Sequence, residues 1–109
     1  MASTYKVLGQ LAPAATTLST LYTVPALTSA VCSTLCIANT GTVASTARIA
    51  IRPAGAAIDI KHYIAYDIIV PTGDTVFLTL GISLATADVI SVYGSLATLS
   101  FSVFGSEIA

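Results

Sequence analysis

The sequence predicts an all-β protein, built as a single antiparallel β-sandwich of about eight short strands. β-Branched and aromatic residues dominate these segments, and Gly, Pro, Asn and Asp interrupt them at short intervals. Several segments alternate apolar with small polar side chains, as expected of strands that have one buried face. A length of 109 residues fits one domain, residues 1–109. Both an immunoglobulin-like and a jelly-roll-like strand order are compatible with this pattern.

Each predicted strand ends at residues that favour turns. In chain order, the strands are predicted at residues 4–9, 19–24, 31–38, 46–52, 61–66, 74–80, 89–93 and 98–104. The breaks between them contain Pro or Gly, which supply the fixed or positive φ of a turn. The Ala-rich stretch 53–58 is predicted to be a loop or a single turn. Residues 10–20 are predicted to form an extended arm or loop that could reach a neighbouring molecule.

The alternation is clearest in the last strand. Leu99, Phe101 and Val103 would share one face of it, while Ser100 and Ser102 would share the other. The same separation in other strands predicts that one face of each sheet packs inward. The opposite, outer face is then made of small and weakly polar side chains.

Charged residues are rare for a chain with so many apolar side chains. Only 8% of the residues are charged and 55% are hydrophobic, whereas a typical soluble domain has about 25% charged residues. Lys and other charges normally protect edge strands from association. Because few charges are available, the sequence predicts that other subunits or partners cover these surfaces. The charged residues are Lys6, Arg48, Arg52, Asp59, Lys61, Asp67, Asp74, Asp88 and Glu107.

The composition disfavours nucleic-acid binding and membrane insertion. The net charge is −1, and four dispersed basic residues do not form the positive stripe that binds phosphates. Thr, Ser, Gly and Pro interrupt every apolar run before it reaches the roughly 20 residues of a membrane-spanning helix. We therefore expect no nucleic-acid partner, no membrane association and no secretion.

The sequence contains no recognisable catalytic or metal-binding constellation. His62 is the single histidine, so a hydrolytic triad would have one candidate base, and it lies in a predicted strand. Cys32 and Cys36 would be about 13 Å apart along one strand, which is too far for a disulfide. A zinc site would need two more ligands. We expect two buried structural thiols, no metal, no cofactor and no enzymatic activity.

Five residues are candidates for contacts with other subunits. Arg48 and Arg52 are four positions apart and would share one face of a strand. They could solvate an exposed strand, or form ion pairs with an acidic residue of a neighbouring subunit, where Arg is favoured. Tyr63, Tyr66 and Tyr93 combine apolar area with a polar tip, which suits both half-buried packing and an interface.

Five stretches of the chain resemble a small structural protein that recurs in tailed phages, especially those of aquatic bacteria and cyanobacteria. They read MASTYKVLGQ (1–10), ARIAIRPAG (47–55), KHYIAYD (61–67), LGISL (80–84) and DVISVY (88–93). The resemblance implies a β-sandwich module that is present in many copies on the virion and contains no catalytic residues. It does not distinguish a capsid protein from a component of the neck, tail or fibre base.

The leading hypothesis is a capsid decoration (cement) protein whose apolar, low-charge faces stabilise the major capsid subunits. The second is a neck, tail or fibre-base structural protein. In both cases the partners are other virion proteins and copies of the chain itself, in a virion assembled in the host cytoplasm. The third, from another class, is a carbohydrate-binding module that recognises the host surface. The absence of Trp and the shortage of Asn, Gln and acidic side chains disfavour it.

Overall fold

Two four-stranded antiparallel sheets face each other in the computed structural model, which describes residues 3–109 and, among them, every side chain except that of Leu80. The strands are β1 (Ser3–Leu11), β2 (Ser19–Thr23), β3 (Ser29–Asn39), β4 (Ser45–Arg52), β5 (Tyr63–Val70), β6 (Thr75–Leu84), β7 (Val89–Gly94) and β8 (Leu99–Ile108). Two short 3-10 turns, Pro53–Gly55 and Ile60–His62, lie between β4 and β5. The predicted all-β sandwich is confirmed.

The strand order identifies the sandwich as a jelly roll. Sheet A contains the strands in the order β1-β8-β3-β6, and sheet B contains them in the order β2-β7-β4-β5. Every neighbouring pair is antiparallel. This pairing of early with late strands, divided between two sheets, is that of two Greek keys wound into a jelly roll. Of the two strand orders that the sequence left open, the chain adopts this one.

All eight predicted strands overlap observed ones, and β5 differs most in its position. The sequence predicts a strand at residues 61–66, whereas β5 begins at Tyr63 because the second 3-10 turn precedes it. Asp59 and His62 stabilise this turn. Asp59 Oδ1 accepts a hydrogen bond from the Ile60 N–H (2.6 Å), and His62 Nδ1 accepts one from the Asp59 N–H (3.0 Å). These bonds satisfy main-chain donors that would otherwise lack a partner.

The predicted arm is mostly a connection between strands. Of residues 10–20, the first two end β1 and the last two begin β2. The loop between them is held to sheet B by a hydrogen bond from the Thr16 N–H to the Gly94 carbonyl oxygen (2.8 Å). Contact of this loop with a neighbouring molecule stays a prediction. The stretch 53–58 forms one 3-10 turn followed by a loop, in agreement with the sequence.

The core is the apolar layer between the two sheets. Alternate side chains of the strands point into it, and β8 contributes Leu99, Phe101 and Val103 as the sequence predicts. Removal of this apolar surface from water is the main stabilising contribution to the fold. The largest fully buried apolar side chains are Phe101, Leu35, Ile37, Ile49, Ile90, Leu99, Val24, Val70, Val92 and Val103.

A bulge in β3 decides which of its side chains face the core. The register of β3 with β8 shifts between Cys32 and Thr34, so Ser33 is an extra residue relative to β8. Cys32 is buried before the bulge, and Leu35 is buried after it. Cys36 therefore points outward and is half-buried, so the prediction of two buried thiols is wrong for this residue. Both thiols are free, and burial raises the pKa of Cys32 to about 11.

Gly105 of β8 provides the space that this bulge needs. It lies opposite Cys32 in the register of β3 with β8. A Cβ atom at Gly105 would overlap the main-chain carbonyl oxygen of Val31. The two backbones can approach this closely only because the side chain is missing.

We expect Gly105→Ala to lower the free energy of unfolding by about 2–3 kcal/mol, because the new methyl group must displace the backbone of β3. Gly81→Ala in β6 is the matched control. Apart from chain neighbours, none of the atoms described for residues 3–109 lies within 4 Å of a Cβ at that position, so stability should change by less than about 0.5 kcal/mol. Urea unfolding monitored by tyrosine fluorescence measures both. Equal effects of the two substitutions would contradict this role of Gly105.

Candidate functional site

The outer face of sheet B brings four of the five candidate interface residues together. Arg48 of β4 lies directly opposite Tyr93 of β7. Tyr63 and Tyr66 lie on β5, the neighbour of β4 on its other side. These four residues and Asp67 are named here the arginine–tyrosine cluster. The sequence predicted each tyrosine separately, and the strand order is what makes them adjacent.

The Arg48 guanidinium lies between two tyrosine rings. Its Cζ atom is 4.2 Å from the centroid of the Tyr66 ring and 4.3 Å from that of the Tyr93 ring, which are cation–π distances. Tyr63 and Tyr66 pack edge to face, with centroids 4.9 Å apart and planes at 86°. The resulting aromatic surface is ordered but still accessible, since Tyr66 is 55% exposed.

Asp67 is the acidic partner of Arg48. The Arg48 Nε donates to Asp67 Oδ1 (2.6 Å), and Nη2 donates to Oδ2 (3.3 Å). The hydrogen bond with Asp67 raises the pKa of Arg48 above its ordinary value. Arg48 thus has an acidic partner within its own chain, and an ion pair between Arg48 and an acidic residue of a neighbouring subunit stays a prediction. An interface role for the cluster stays a prediction.

A bulge in β5 explains why a single arginine meets two of its residues. Between two successive pairs of the β4–β5 register, β4 has one residue, Arg48, whereas β5 has two, Tyr66 and Asp67. Asp67 adopts a φ of 54°, in the left-handed region that most residues avoid. This conformation turns the carboxylate towards the guanidinium, so the ion pair is formed at the expense of backbone strain.

Two substitutions at Asp67 separate the ion pair from the strain. Asp67→Gly and Asp67→Ala both remove the pair with Arg48, but only glycine tolerates the left-handed backbone. We expect Asp67→Gly to be more stable than Asp67→Ala by about 1 kcal/mol. The left-handed backbone costs an L-residue about 1–2 kcal/mol, and the larger chain entropy that glycine loses on folding offsets part of this difference. Thermal unfolding followed by circular dichroism measures the difference. If Asp67→Ala were as stable as Asp67→Gly, or more stable, the claim of backbone strain at Asp67 would be contradicted.

Arg52, the fifth candidate, lies apart from the cluster. Its Nε donates to Ser91 Oγ on β7 (3.1 Å), and its Nη1 donates to the Ala56 carbonyl oxygen (3.2 Å). Arg52 thereby connects the loop after β4 to the neighbouring strand. Its participation in an interface between subunits stays a prediction.

The outer face of sheet A has the opposite character. β3 and β6 contain no charged residue, and the two charged residues of this sheet, Lys6 and Glu107, bind each other. The register and the burial of alternate residues identify the side chains that point outward, named here the uncharged face. They are Tyr5, Val7, Gln10, Val31, Thr34, Cys36, Ala38, Thr75, Phe77, Thr79, Ser83, Ser100, Ser102, Phe104 and Ser106.

Large apolar side chains protrude from the uncharged face. Tyr5 is 86% exposed and Phe77 is 67% exposed, and Val7 and Val31 also reach the surface. Ser and Thr hydroxyl groups surround them. The small and weakly polar outer face predicted for both sheets is therefore found only in part on sheet A, where Ser and Thr lie beside large apolar side chains, whereas sheet B has the arginine–tyrosine cluster. The other charged residues lie on sheet B or in loops and turns: Arg48, Arg52, Asp59, Lys61, Asp67, Asp74 and Asp88.

Glu107 forms a polar contact that the sequence analysis missed. Its Oε2 accepts a hydrogen bond from the Tyr22 hydroxyl of sheet B (2.6 Å), and its Oε1 lies 3.0 Å from Lys6 Nζ. Tyr22 and Glu107 are 85 positions apart, so no local pattern connects them. The hydrogen bond from Tyr22, assisted by Lys6, lowers the pKa of Glu107. Burial, together with Glu107, raises the pKa of Tyr22.

Glu107 should make stability depend on pH in the acid range. Because its pKa is lower in the folded state, its contribution is complete above the unfolded-state pKa of about 4.3 and is lost as the pH falls through the folded-state value. We expect the free energy of unfolding to fall between about pH 5 and pH 3. It should fall less in Glu107→Gln, which keeps a hydrogen-bond acceptor but cannot ionise.

Urea unfolding at a series of pH values measures this dependence in both proteins. The two proteins differ only at this residue, so the difference between the curves isolates Glu107. Parallel curves would contradict the contribution of this residue.

The described part of the chain offers its two outer sheet faces for contacts with other molecules. Residues 3–109 contain no enclosed pocket and no group of three His, Cys, Asp or Glu side chains that could hold a metal ion. Over the same residues, no helix is long and apolar enough to cross a membrane. The arrangement is suited to non-covalent contacts: the cluster offers aromatic and guanidinium groups, and the uncharged face offers apolar and hydroxyl groups.

No protein-family model matches the sequence, and no curated protein matches it. The fold and the two outer faces are therefore the observations from which a function can be inferred. The resemblance to phage structural proteins stays a prediction that rests on five stretches of sequence.

Proposed function

We propose that this chain is a non-enzymatic structural protein of a phage virion, and that it acts as a capsid cement protein. In this role the uncharged face packs against the joints between major capsid subunits. The observation that supports the proposal is the segregation of charge: all nine charged residues lie off the outer face of sheet A, which nevertheless exposes Tyr5 and Phe77.

The energetics of association favour such a face. Burial of a charged group without a partner costs several kcal/mol, and the centres of protein interfaces are accordingly depleted of charge and enriched in aromatic residues. The uncharged face meets both conditions, since its rings are flanked by Ser and Thr hydroxyls that can bond to a partner. A cement protein repeats one such contact many times, so a modest free energy per copy stabilises the whole shell.

The fold is compatible with this role and does not define it. Jelly rolls occur in viral capsid proteins and also in lectins, and function follows from the surface rather than from the fold. The resemblance to small phage structural proteins favours the virion. A neck, tail or fibre-base protein would use the same uncharged face, and is the second candidate because the face itself does not specify the neighbour.

The number of copies per particle separates these two candidates. A copy number comparable with that of the major capsid protein, measured by quantitative mass spectrometry or by particle reconstruction, supports the cement role. A copy number that is only enough for one ring of subunits per particle supports a protein of the neck, tail or fibre base. Absence from purified particles would overturn the proposal.

Substitutions on the two faces test the surface itself. We expect Tyr5→Lys to reduce binding to particles that lack the protein by about tenfold or more, because the interface must then bury an unpaired ammonium group. Ile60→Lys is the matched control. The exposed fraction of Ile60, 83%, is similar to that of Tyr5, but Ile60 lies in the second 3-10 turn between β4 and β5, away from the uncharged face. Co-sedimentation with the particles measures both variants. Equal binding by the two would contradict docking through the uncharged face.

A further inference from the structure

The four sheet edges differ in how well they are protected against association. In sheet B, β2 is only five residues long, and β5 contains Asp67 and breaks its register with β4 twice. In sheet A, β1 contains Lys6, whereas β6 has ten residues with neither a charge nor a proline. Short strands, charges, prolines and bulges are the usual means of preventing edge-to-edge pairing. The first half of β6 has none of them.

The unprotected segment is Thr75–Val76–Phe77–Leu78–Thr79. It pairs with β3 in unbroken register, and the register shifts only beyond Thr79. Because β6 is the last strand of sheet A, the main-chain groups on its other side have no strand partner within residues 3–109. β-Branched and aromatic residues of this kind have high strand propensity. Another β-strand can satisfy such a row of main-chain donors and acceptors.

This segment has a symmetric pattern of side chains about Phe77. The order of residue types is Thr, apolar, Phe, apolar, Thr, which is the same in both chain directions. Thr75, Phe77 and Thr79 point outward, while Val76 and Leu78 are partly buried and pack against the core. An antiparallel copy of the same segment would therefore place each type of side chain opposite its own type. This self-complementarity identifies a second copy of the chain as the partner.

We infer that two copies of this protein join through β6, antiparallel and about a two-fold axis at Phe77. Phe77 then lies opposite Phe77 of the partner subunit, Thr75 opposite the partner's Thr79, and Val76 opposite the partner's Leu78. Aromatic, Thr–Thr and apolar cross-strand pairs each stabilise a sheet. The two sheets A become one eight-stranded sheet with a continuous uncharged outer face. The inference deepens the proposed function, since the dimer would be the unit that presents this face.

A head-to-tail arrangement is the competing geometry. β1 and β6 run in opposite directions, because every neighbouring pair in sheet A is antiparallel, so β6 of one copy could pair with β1 of the next. Such contacts generate rings or filaments rather than dimers. β1 lacks the symmetric pattern, and Leu8 interrupts its register with β8.

A cysteine cross-linking experiment distinguishes the two geometries. Phe77→Cys is made together with Cys36→Ala, because Cys36 is the cross-strand neighbour of Phe77 within the chain. Gln10→Cys with Cys36→Ala is the matched control, since Gln10 lies in the same row of the uncharged face at the opposite edge. Two-fold pairing predicts a covalent dimer of the first variant on mild oxidation or with a short bis-maleimide. Cross-links that form only between the two variants in a mixture would overturn it.

Sedimentation equilibrium of the full chain provides a second measurement. We expect the wild type to be dimeric and Phe77→Lys to raise the dimer dissociation constant by about tenfold or more, because two ammonium groups would face each other. Ile69→Lys on β5 should leave the dimer intact, although Ile69 is 68% exposed, like Phe77. Circular dichroism verifies that both variants fold. A monomeric wild type, or an unchanged dimer in Phe77→Lys, would overturn the inference.

These outcomes are separable from those of the proposed function. A wild-type monomer that still binds particles through the uncharged face would overturn the dimer and leave the cement role standing. A dimer joined through β6 that never enters a particle would support the inference and overturn the virion role.

Discussion

The extra residue at Ser33 is the constraint on which the surface of sheet A depends. β3 lies in the middle of this sheet, paired with both β8 and β6. The residues of β3 that face the core therefore determine which residues of β8 and β6 lie beside them on the same face. Without the bulge, a strand that buries Cys32 would also bury Thr34 and Cys36 and would expose Leu35. With it, the large apolar residues enter the core and the small ones form the outer row. Gly105 permits this arrangement because no side chain at that position competes with the β3 backbone.

Several of the few charged side chains are bound to other groups of the same chain. Several charged side chains serve as internal connections: Arg48 binds Asp67, Glu107 joins the two sheets, and Asp88 accepts hydrogen bonds from the Ala54 and Ala85 N–H groups, which belong to different loops. Groups that are occupied within the chain are less available to solvate its surface. The outer face of sheet A is therefore left to uncharged groups, most of them hydroxyl or apolar.

The sequence predicted the local structure well, because side-chain alternation and turn residues act over a few positions. Leu99, Phe101 and Val103 lie in the core as their spacing indicates. It could not predict the strand order, since immunoglobulin-like and jelly-roll sandwiches share the same local patterns. The partner of Arg48 depends on a bulge that adds one residue to β5, and the contact between Tyr22 and Glu107 depends on how the sheets stack. Neither contact is encoded in a local period. The bulge in β3 is not encoded in one either, which is why the predicted buried position of Cys36 is wrong.

The segregation of charge also determines how each face responds to the surrounding solution. Dissolved ions screen interactions between exposed charges over about 8–10 Å at physiological ionic strength, so contacts that involve Arg48 and Asp67 weaken as salt is added. Apolar burial is not screened, and strongly hydrated salts even strengthen it. A particle held together through the uncharged face would keep its cohesion in dilute and in saline water alike, whereas a partner recognised through sheet B would be released by salt.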